Sequence, residues 1–311
     1  MRRSWYERHP QSVRHLDRPV VSVGNLSVGG SGKTPVVAAL ARLLLDMGER
    51  PAILSRGYGR RRAADGVVVV SDGVCVREPV ERTGDEPQML ARALPGVPVL
   101  VSADRYLAGR LAERQLACRV LLLDDGFQHL QLAREVDLLV LPVDDLTGTV
   151  VPSGRLREAL DAASAADGLL VPGTESDVDR VRSVFTRTPI FRATTHYAPL
   201  RSMGTAVRPA PIPRGRVVAV AGVARPGRFF AGLRAEGYDV AEAITFGDHH
   251  WFTGRDLARI EAAARDCQAD TIVTTEKDAA RLSPREGWAT LPMTVVIEPA
   301  AEFAAWLRSR L

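Results

Sequence analysis

Lysine is almost absent from this chain: of its 41 lysine and arginine residues, only Lys33 and Lys277 are lysine. Arginine serves nearly everywhere a cation is needed, so the two exceptions mark positions that want a compact ammonium rather than a planar fork. Cysteine is scarce too. Cys75, Cys118 and Cys267 lie far apart, which excludes a disulfide framework and a cysteine metal knuckle and fits a reducing cytoplasm. Long apolar runs are missing. The stretches "RVLLLDD" and "VDLLVLPV" are strand-length, short of the roughly 18–20 residues of a membrane-spanning helix. The opening "MRRSWYERHPQSVRHLDRP" has no apolar core of a secretory signal. No repeat, low-complexity tract or aromatic–basic RNA motif occurs, so a nucleic-acid role would rest on charge alone and is not expected. The net charge of +4 suits a phosphate-bearing partner without selecting one.

What is present reads as an α/β protein. The 311 residues, 46% hydrophobic and 25% charged, suffice for two globular domains. Apolar strands such as "PVVSVGNL", "PAILS", "VPVLVS", "RVLLLDDG" and "VDLLVLPV" alternate with helical stretches. The helices are "TPVVAALARLLLDMG", closed by Gly48, "DEPQMLARAL", and "DRYLAGRLAERQLA" with Asp104 as N-cap. "SAADGLLVPG" and "PIFRATTH" continue the sheet. Uniformly apolar strands between helices predict a mostly parallel sheet covered on both faces. "MGTAVRPAPIPRGR", with Pro209, Pro211 and Pro213, reads as a stiff connector. A smaller α/β set follows it. The expected domains are therefore 1–205 and 206–311.

"VVSVGNLSVGGSGKTPVVAAL" places a glycine loop and Lys-Thr between a strand and a helix, which is the context of a P-loop. Ser27 stands where the pattern G-x-x-x-x-G-K-S/T begins with glycine, but Gly29, Gly30 and Gly32 still permit positive φ and close approach to phosphates. The cradle is thus Ser27, Val28, Gly29, Gly30, Ser31, Gly32, Lys33 and Thr34. Lys33 is expected at the β- and γ-phosphates and the Thr34 hydroxyl on Mg²⁺. Asp124 and Asp125 end the apolar strand "RVLLLDD", where a P-loop protein needs a carboxylate for metal or water.

The remaining polar blocks are "SRGYG", "GDEPQML", "DDGFQHLQLAREVDL", "PSGRLRE", "GVARPGRFF", "FGDHHWF" and "TTEKDAARL". With the P-loop segment, in this order from about Pro19 to Leu282, they closely resemble the tetraacyldisaccharide 4′-kinase family. The resemblance implies a P-loop NTPase-like fold with a second, smaller α/β domain closing the active-site cleft. It also implies an ATP-dependent kinase that phosphorylates the 4′-hydroxyl of a tetraacyldisaccharide 1-phosphate, the lipid A precursor, in lipopolysaccharide biosynthesis. By motif, Asp85 and the first histidine of the pair, His249, match the family's catalytic pair. Such groups suit a sugar hydroxyl, which must lose its proton as the new bond to phosphorus forms.

Glu86, Asp124, Asp125, Gln128, Arg157 and Glu158 match positions at the phosphates and metal. Asp124 and Gln128 fall to the nucleotide, and Asp125 and Glu158 to Mg²⁺ with Thr34. Arg157 falls to the charge of the transferring group. Trp5, Tyr6 and the N-terminal arginines stand where the family carries a longer apolar segment, and imply peripheral contact with the cytoplasmic face of the bacterial inner membrane. No protein partner is implied. The rival reading is a P-loop GTPase or metallochaperone-type NTPase, because "TEKD" superficially resembles the guanine-reading N/T-K-x-D signal.

Overall fold

The computed structural model describes every residue except Met1, Ser31, Ala63, Ala64 and 205–211. The cradle residue Ser31 and the connector residues Pro209 and Pro211 therefore lie outside the described residues. The chain divides into two compact units, Met1–Thr195 joined by Val295–Leu311, and His196–Thr294.

The first unit is built on β1 (Val20–Asn25), β2 (Pro51–Ser55), β3 (Val68–Asp72), β4 (Pro98–Val101), β5 (Val120–Asp124), β6 (Val136–Val140), β7 (Gly168–Pro172) and β8 (Ile190–Tyr197). The second holds β9 (Arg201–Ser202), β10 (Arg216–Ala221), β11 (Asp239–Thr245), β12 (Thr271–Thr274) and β13 (Trp288–Thr290). β14 (Met293–Glu298) then returns to the first sheet, whose order is β14-β8-β7-β6-β1-β5-β2-β4-β3. From β4 to β8 along this order, β4, β2, β5, β1, β6, β7 and β8 pair in parallel. β1, β2, β5 and β6 are buried at every position, as strands covered on both faces must be. One face is covered by the helix Lys33–Asp46, whose Val36, Val37, Leu40 and Leu44 share a core with Val21, Val23, Ile53 and Leu122. The other is covered by Arg105–Gln115, whose Ala108 and Ala112 pack with Leu54, Leu121 and Leu123. β3 lies antiparallel to β4 at the edge, an addition that the apolar run Val67–Val70 alone did not assign.

From β1 the chain proceeds to β2 on the β5 side and later to β6 on the other side. The order reverses there, and in open α/β sheets ligands bind beyond the carboxyl ends of strands at such a reversal. The glycine loop after β1 and the Asp124–Asp125 corner after β5 both lie at that edge.

The expected boundary at 205/206 differs from the division the structure makes. The second unit begins at His196, and Val295–Leu311 belongs to the first. Phe303 and Leu307 of the helix Ala300–Arg308 are buried with Phe191 of β8, the two phenyl rings edge-to-face at 5.0 Å. Glu298 accepts hydrogen bonds from Arg192 and Thr194. Such long-range cover for a terminal apolar helix leaves no local sequence mark.

The second unit is a five-stranded sheet, β11-β10-β12-β13-β9, parallel except for β9. Phe229 and Phe230 fill its core beside Val217, Ala219 and Leu233. Phe246 and Phe252 pack against the other core, and the Phe246 ring stacks on His250.

Candidate active site

Serine is tolerated at position 27 because that part of the loop is not a turn. Ser27 bridges Leu156 in antiparallel fashion, Val28 N–H donates to Arg155 O at 2.8 Å, and Arg157 N–H donates to Leu26 O at 2.6 Å. The loop entry is thus zipped to the segment 155–157. The left-handed angles come later, at Gly29 (φ 77°) and Gly32 (φ 88°), where a side chain would be strained. Gly24, inside β1, has a different reason: a Cβ there would lie 2.4 Å from Phe127 Cβ, so the "DDGF" corner can pass only across a glycine.

The zipper delivers Arg157 to the cradle. Its Nη1 donates to both oxygens of Asp125 at 2.9 Å and reaches Gln128 Oε1 at 3.4 Å. Lys33 Nζ lies 3.2 Å from Asp125 Oδ1 and donates to Asn25 Oδ1 at 2.7 Å. Asn25 Nδ2 donates in turn to Ser27 O, and Gln128 Nε2 donates to Asn25 O at 3.0 Å. Lys33, Asp125, Gln128 and Arg157 therefore meet in one network. Burial pushes the Asp125 carboxyl up, and Lys33 and Arg157 more than reverse this, leaving it below its ordinary value. Asp125 also has φ 54°, a left-handed strain of roughly 1–2 kcal/mol.

Asp124 faces the opposite situation. Burial, reinforced by Glu86 and Asp125, raises its carboxyl to about 7. Ser55 Oγ donates to Oδ2 at 2.9 Å, while the buried Oδ1 has no hydrogen-bond partner among the described residues. A partnerless buried carboxylate oxygen is costly, and a divalent cation is a chemistry that satisfies it. Among the described residues no group of three or more His, Cys, Asp or Glu forms a metal cage. That is consistent with Mg²⁺, which uses one or two protein ligands and fills its shell with phosphates and water. Thr34 is buried in the first turn of its helix at the same strand edge. The residues present fit the ion.

"SRGYG" and "GDEP" prove to be one feature. A Cβ on Gly57 would lie 2.8 Å from Thr83 O, and one on Gly84 would lie 2.7 Å from Tyr58 O. Both glycines have left-handed φ, 70° and 88°, so the two loops pass back to back. They bring Glu86 into the field of Asp124. Asp85 opens the helix Asp85–Ala93, is buried, and accepts Glu86 N–H at 2.9 Å. Glu158 is half-buried and acts electrostatically on Arg134.

In the second unit His249 follows β11 with φ 58°. Its N–H donates to Gly222 O and to Asp248 Oδ1. Lys277 Nζ lies 3.1 Å from Asp248 Oδ1 and 3.3 Å from His249 Nε2. Asp278 is fully buried, takes N–H of Gly222 and the hydroxyl of Thr275, and pairs with Arg281. The carboxylate that would read a guanine in the rival reading is thus committed to holding the fold.

The structure adds residues the sequence analysis did not select. Asn25 positions Lys33. Arg155 ties Ser27 to buried Asp145. Arg105, buried, lies in the field of Arg56, Asp124 and Asp125. His129, driven down to about 4 by burial, Arg105 and Arg134, is a neutral imidazole. Only Asn25 had a local signal, as the last residue of the strand feeding the cradle.

The family model "Tetraacyldisaccharide-1-P 4'-kinase" (LpxK) matches residues 1–311. A tetraacyldisaccharide 4'-kinase of Geobacter metallireducens is 44% identical over 88% of this chain and 81% of its own length. The enzyme of that name from Syntrophus aciditrophicus is 38% identical over 92% and 81%. A crystal structure of LpxK from Aquifex aeolicus in complex with ATP superposes with a TM-score of 0.82 at 34% identity, covering 99% of this chain and 93% of the other. With the cradle built as described and the family model matched from end to end, the chain belongs to the tetraacyldisaccharide-1-phosphate 4'-kinase family.

Proposed function

We propose that the chain transfers the γ-phosphate of ATP to the 4′-hydroxyl of a tetraacyldisaccharide 1-phosphate in lipid A biosynthesis. The observation that carries this reading is the Lys33–Asn25–Asp125–Arg157 network at the strand-order reversal, in a chain of this family. The amides of the glycine loop and the start of the helix Lys33–Asp46 receive the phosphates. Lys33 and Arg157 balance charge on the oxygens of the transferring group. The hydroxyl oxygen forms the new bond to phosphorus as the bond to the β,γ-bridging oxygen breaks and ADP leaves. Asp85 takes the hydroxyl proton, and His249 is the second catalytic group, matched by motif.

Thr34 and Asp124 would hold Mg²⁺, with Glu158 the further carboxylate. Asp125 serves Lys33 and Arg157 instead, because two cations already occupy its oxygens. When bound, the ion would neutralise charge developing on the phosphate oxygens. The lipid acceptor calls for peripheral contact at the cytoplasmic face of the inner membrane. The helix Arg2–Arg8 exposes Trp5 (43%) near Arg8, the amphipathic pairing that suits an anionic interface. No described helix is long and apolar enough to cross a membrane.

The test is transfer of label from γ-labelled ATP to the tetraacyldisaccharide 1-phosphate in detergent micelles with Mg²⁺. Labelled lipid, lost in Lys33→Ala and Asp85→Ala, is the expected result. Label released only as inorganic phosphate would sink the kinase reading.

A further inference from the structure

Lys277 is the second of the two lysines in an arginine-rich chain, and its place beside His249 explains why it is one. An ammonium has three donors and no acceptor. With Lys277 Nζ 3.3 Å from His249 Nε2, that nitrogen must be the accepting, unprotonated one. Asp248 Oδ2 lies 3.7 Å from the same nitrogen, beyond hydrogen-bond reach. One compact ammonium serves the ring and the Asp248 carboxylate at once. A guanidinium would take the carboxylate two-pronged and leave the ring.

The surroundings fix both partners. His249 is held at φ 58° by its N–H bonds to Gly222 O and Asp248 Oδ1. Gly222 N–H donates to Asp278, the residue after Lys277, and Arg281 pairs with Asp278 while donating to Gly222 O. One buried ion pair therefore ties the turn carrying His249 to the short helix Glu276–Ala279 carrying Lys277.

We propose that Lys277 is the positioning residue that locks His249 in the neutral tautomer with its proton on Nδ1. The inference rests on the reading of His249 as a catalytic group. In this tautomer the ring offers an Nδ1–H donor while Nε2 is taken up by the ammonium, so His249 serves as a hydrogen-bond donor rather than as a base. The adjacent His250 is an internal control of opposite kind. Its Nε2 lies 3.0 Å from the acceptor-only carboxylate of Asp256, so it carries its proton on Nε2.

The test uses the full chain labelled with ¹⁵N-histidine and long-range ¹H–¹⁵N spectra, with His249 assigned by loss of its signal in His249→Gln. We expect an Nδ1–H signature for His249 and Nε2–H for His250. In Lys277→Met the His249 signature shifts toward Nε2–H while that of His250 stays, which reports an intact unit. The kcat falls at least about tenfold with KM for ATP within about twofold. Lys277→Arg does not restore kcat, whereas ethylamine added to Lys277→Ala restores part of kcat and the Nδ1–H signature. A wild-type His249 protonated on Nε2, or a signature indifferent to Lys277→Met, would overturn the tautomer lock and leave the catalytic reading of His249 standing. Full activity of His249→Gln would instead overturn that reading, and with it any catalytic purpose for Lys277.

Discussion

Each unit carries a lysine–aspartate pair next to a left-handed non-glycine residue, yet the two are held in different ways. In the first, Lys33 and Asp125 (φ 54°) stand 3.2 Å apart. In the second, Lys277 and Asp248 stand 3.1 Å apart beside His249 (φ 58°). The lysine side chains are equally sheltered, 14% and 16% exposed. The first pair is backed by the fully buried strands β1 and β5 and by a second cation, Arg157. The second stands on a turn and the four-residue helix Glu276–Ala279, and one buried ion pair, Asp278–Arg281, ties the two together. A phosphate cradle can be built from regular structure because backbone amides do the binding. A histidine that must present one chosen nitrogen needs a side-chain scaffold of its own.

That contrast can be broken in order of expected effect. Lys33→Ala should lower kcat/KM for ATP by about 10³-fold or more, roughly 4 kcal/mol of transition-state stabilisation, with little change in melting temperature because the framework under it is intact. Initial rates beside calorimetry test this, and a variant that melts early and loses activity in proportion would show the cradle to be structural. Asp278→Ala should cost about 3 kcal/mol by leaving Arg281 buried without its partner. Hydrogen exchange should rise across β10, β12 and the helix Gly254–Asp266 while β1 and β5 stay protected. Equal loosening of both units would contradict the separate scaffolds. Gly24→Ala should cost about 2 kcal/mol by forcing Phe127 aside. Denaturant unfolding measures it, and an unchanged midpoint would mean the Asp124–Asp125 corner is not pinned at that crossing.

The smallest effect is on pH dependence. Asp124 holds its proton to about 7 in the folded chain against an ordinary 3.8, so between those values the folded state carries more protons than the unfolded one. Stability must then fall as pH rises through this window. Asp137, raised to about 6 by burial, acts in the same direction. Asp124→Asn should flatten the fall in melting temperature between pH 5 and 7.5 but not abolish it. An unaltered slope would mean that Asp124 is not the carboxyl whose proton burial holds.

Much of the first unit is legible in its sequence. The run of apolar strands, the helix from Lys33 to Asp46 and the Asp104 cap, which accepts Tyr106 N–H, all follow from patterns a few residues long. So do Lys33 and the Asp124–Asp125 corner. Ser27 was a departure from the glycine pattern whose tolerance became plain only with its bridge to Leu156. Arg105 and Arg155 were illegible, since each acts on partners far away in sequence, whereas Asn25 had only its place at the end of the strand feeding the cradle. The domain boundary shifted for the same reason, as Phe303 and Leu307 find their cover on Phe191.

The sequence by itself determined the kind of chemistry: a glycine loop, a lysine and paired carboxylates at strand ends have few other uses. It also assigned residue types, keeping lysine at two places where a small cation must serve more than one acceptor. Only the tertiary structure decided how neighbouring carboxylates divide their work. Asp125 is neutralised by Lys33 and Arg157, while Asp124, one residue earlier, is buried with one oxygen unpartnered among the described residues. Charge and dielectric at a carboxylate are set by what folds around it, and adjacent identical letters give no sign of that.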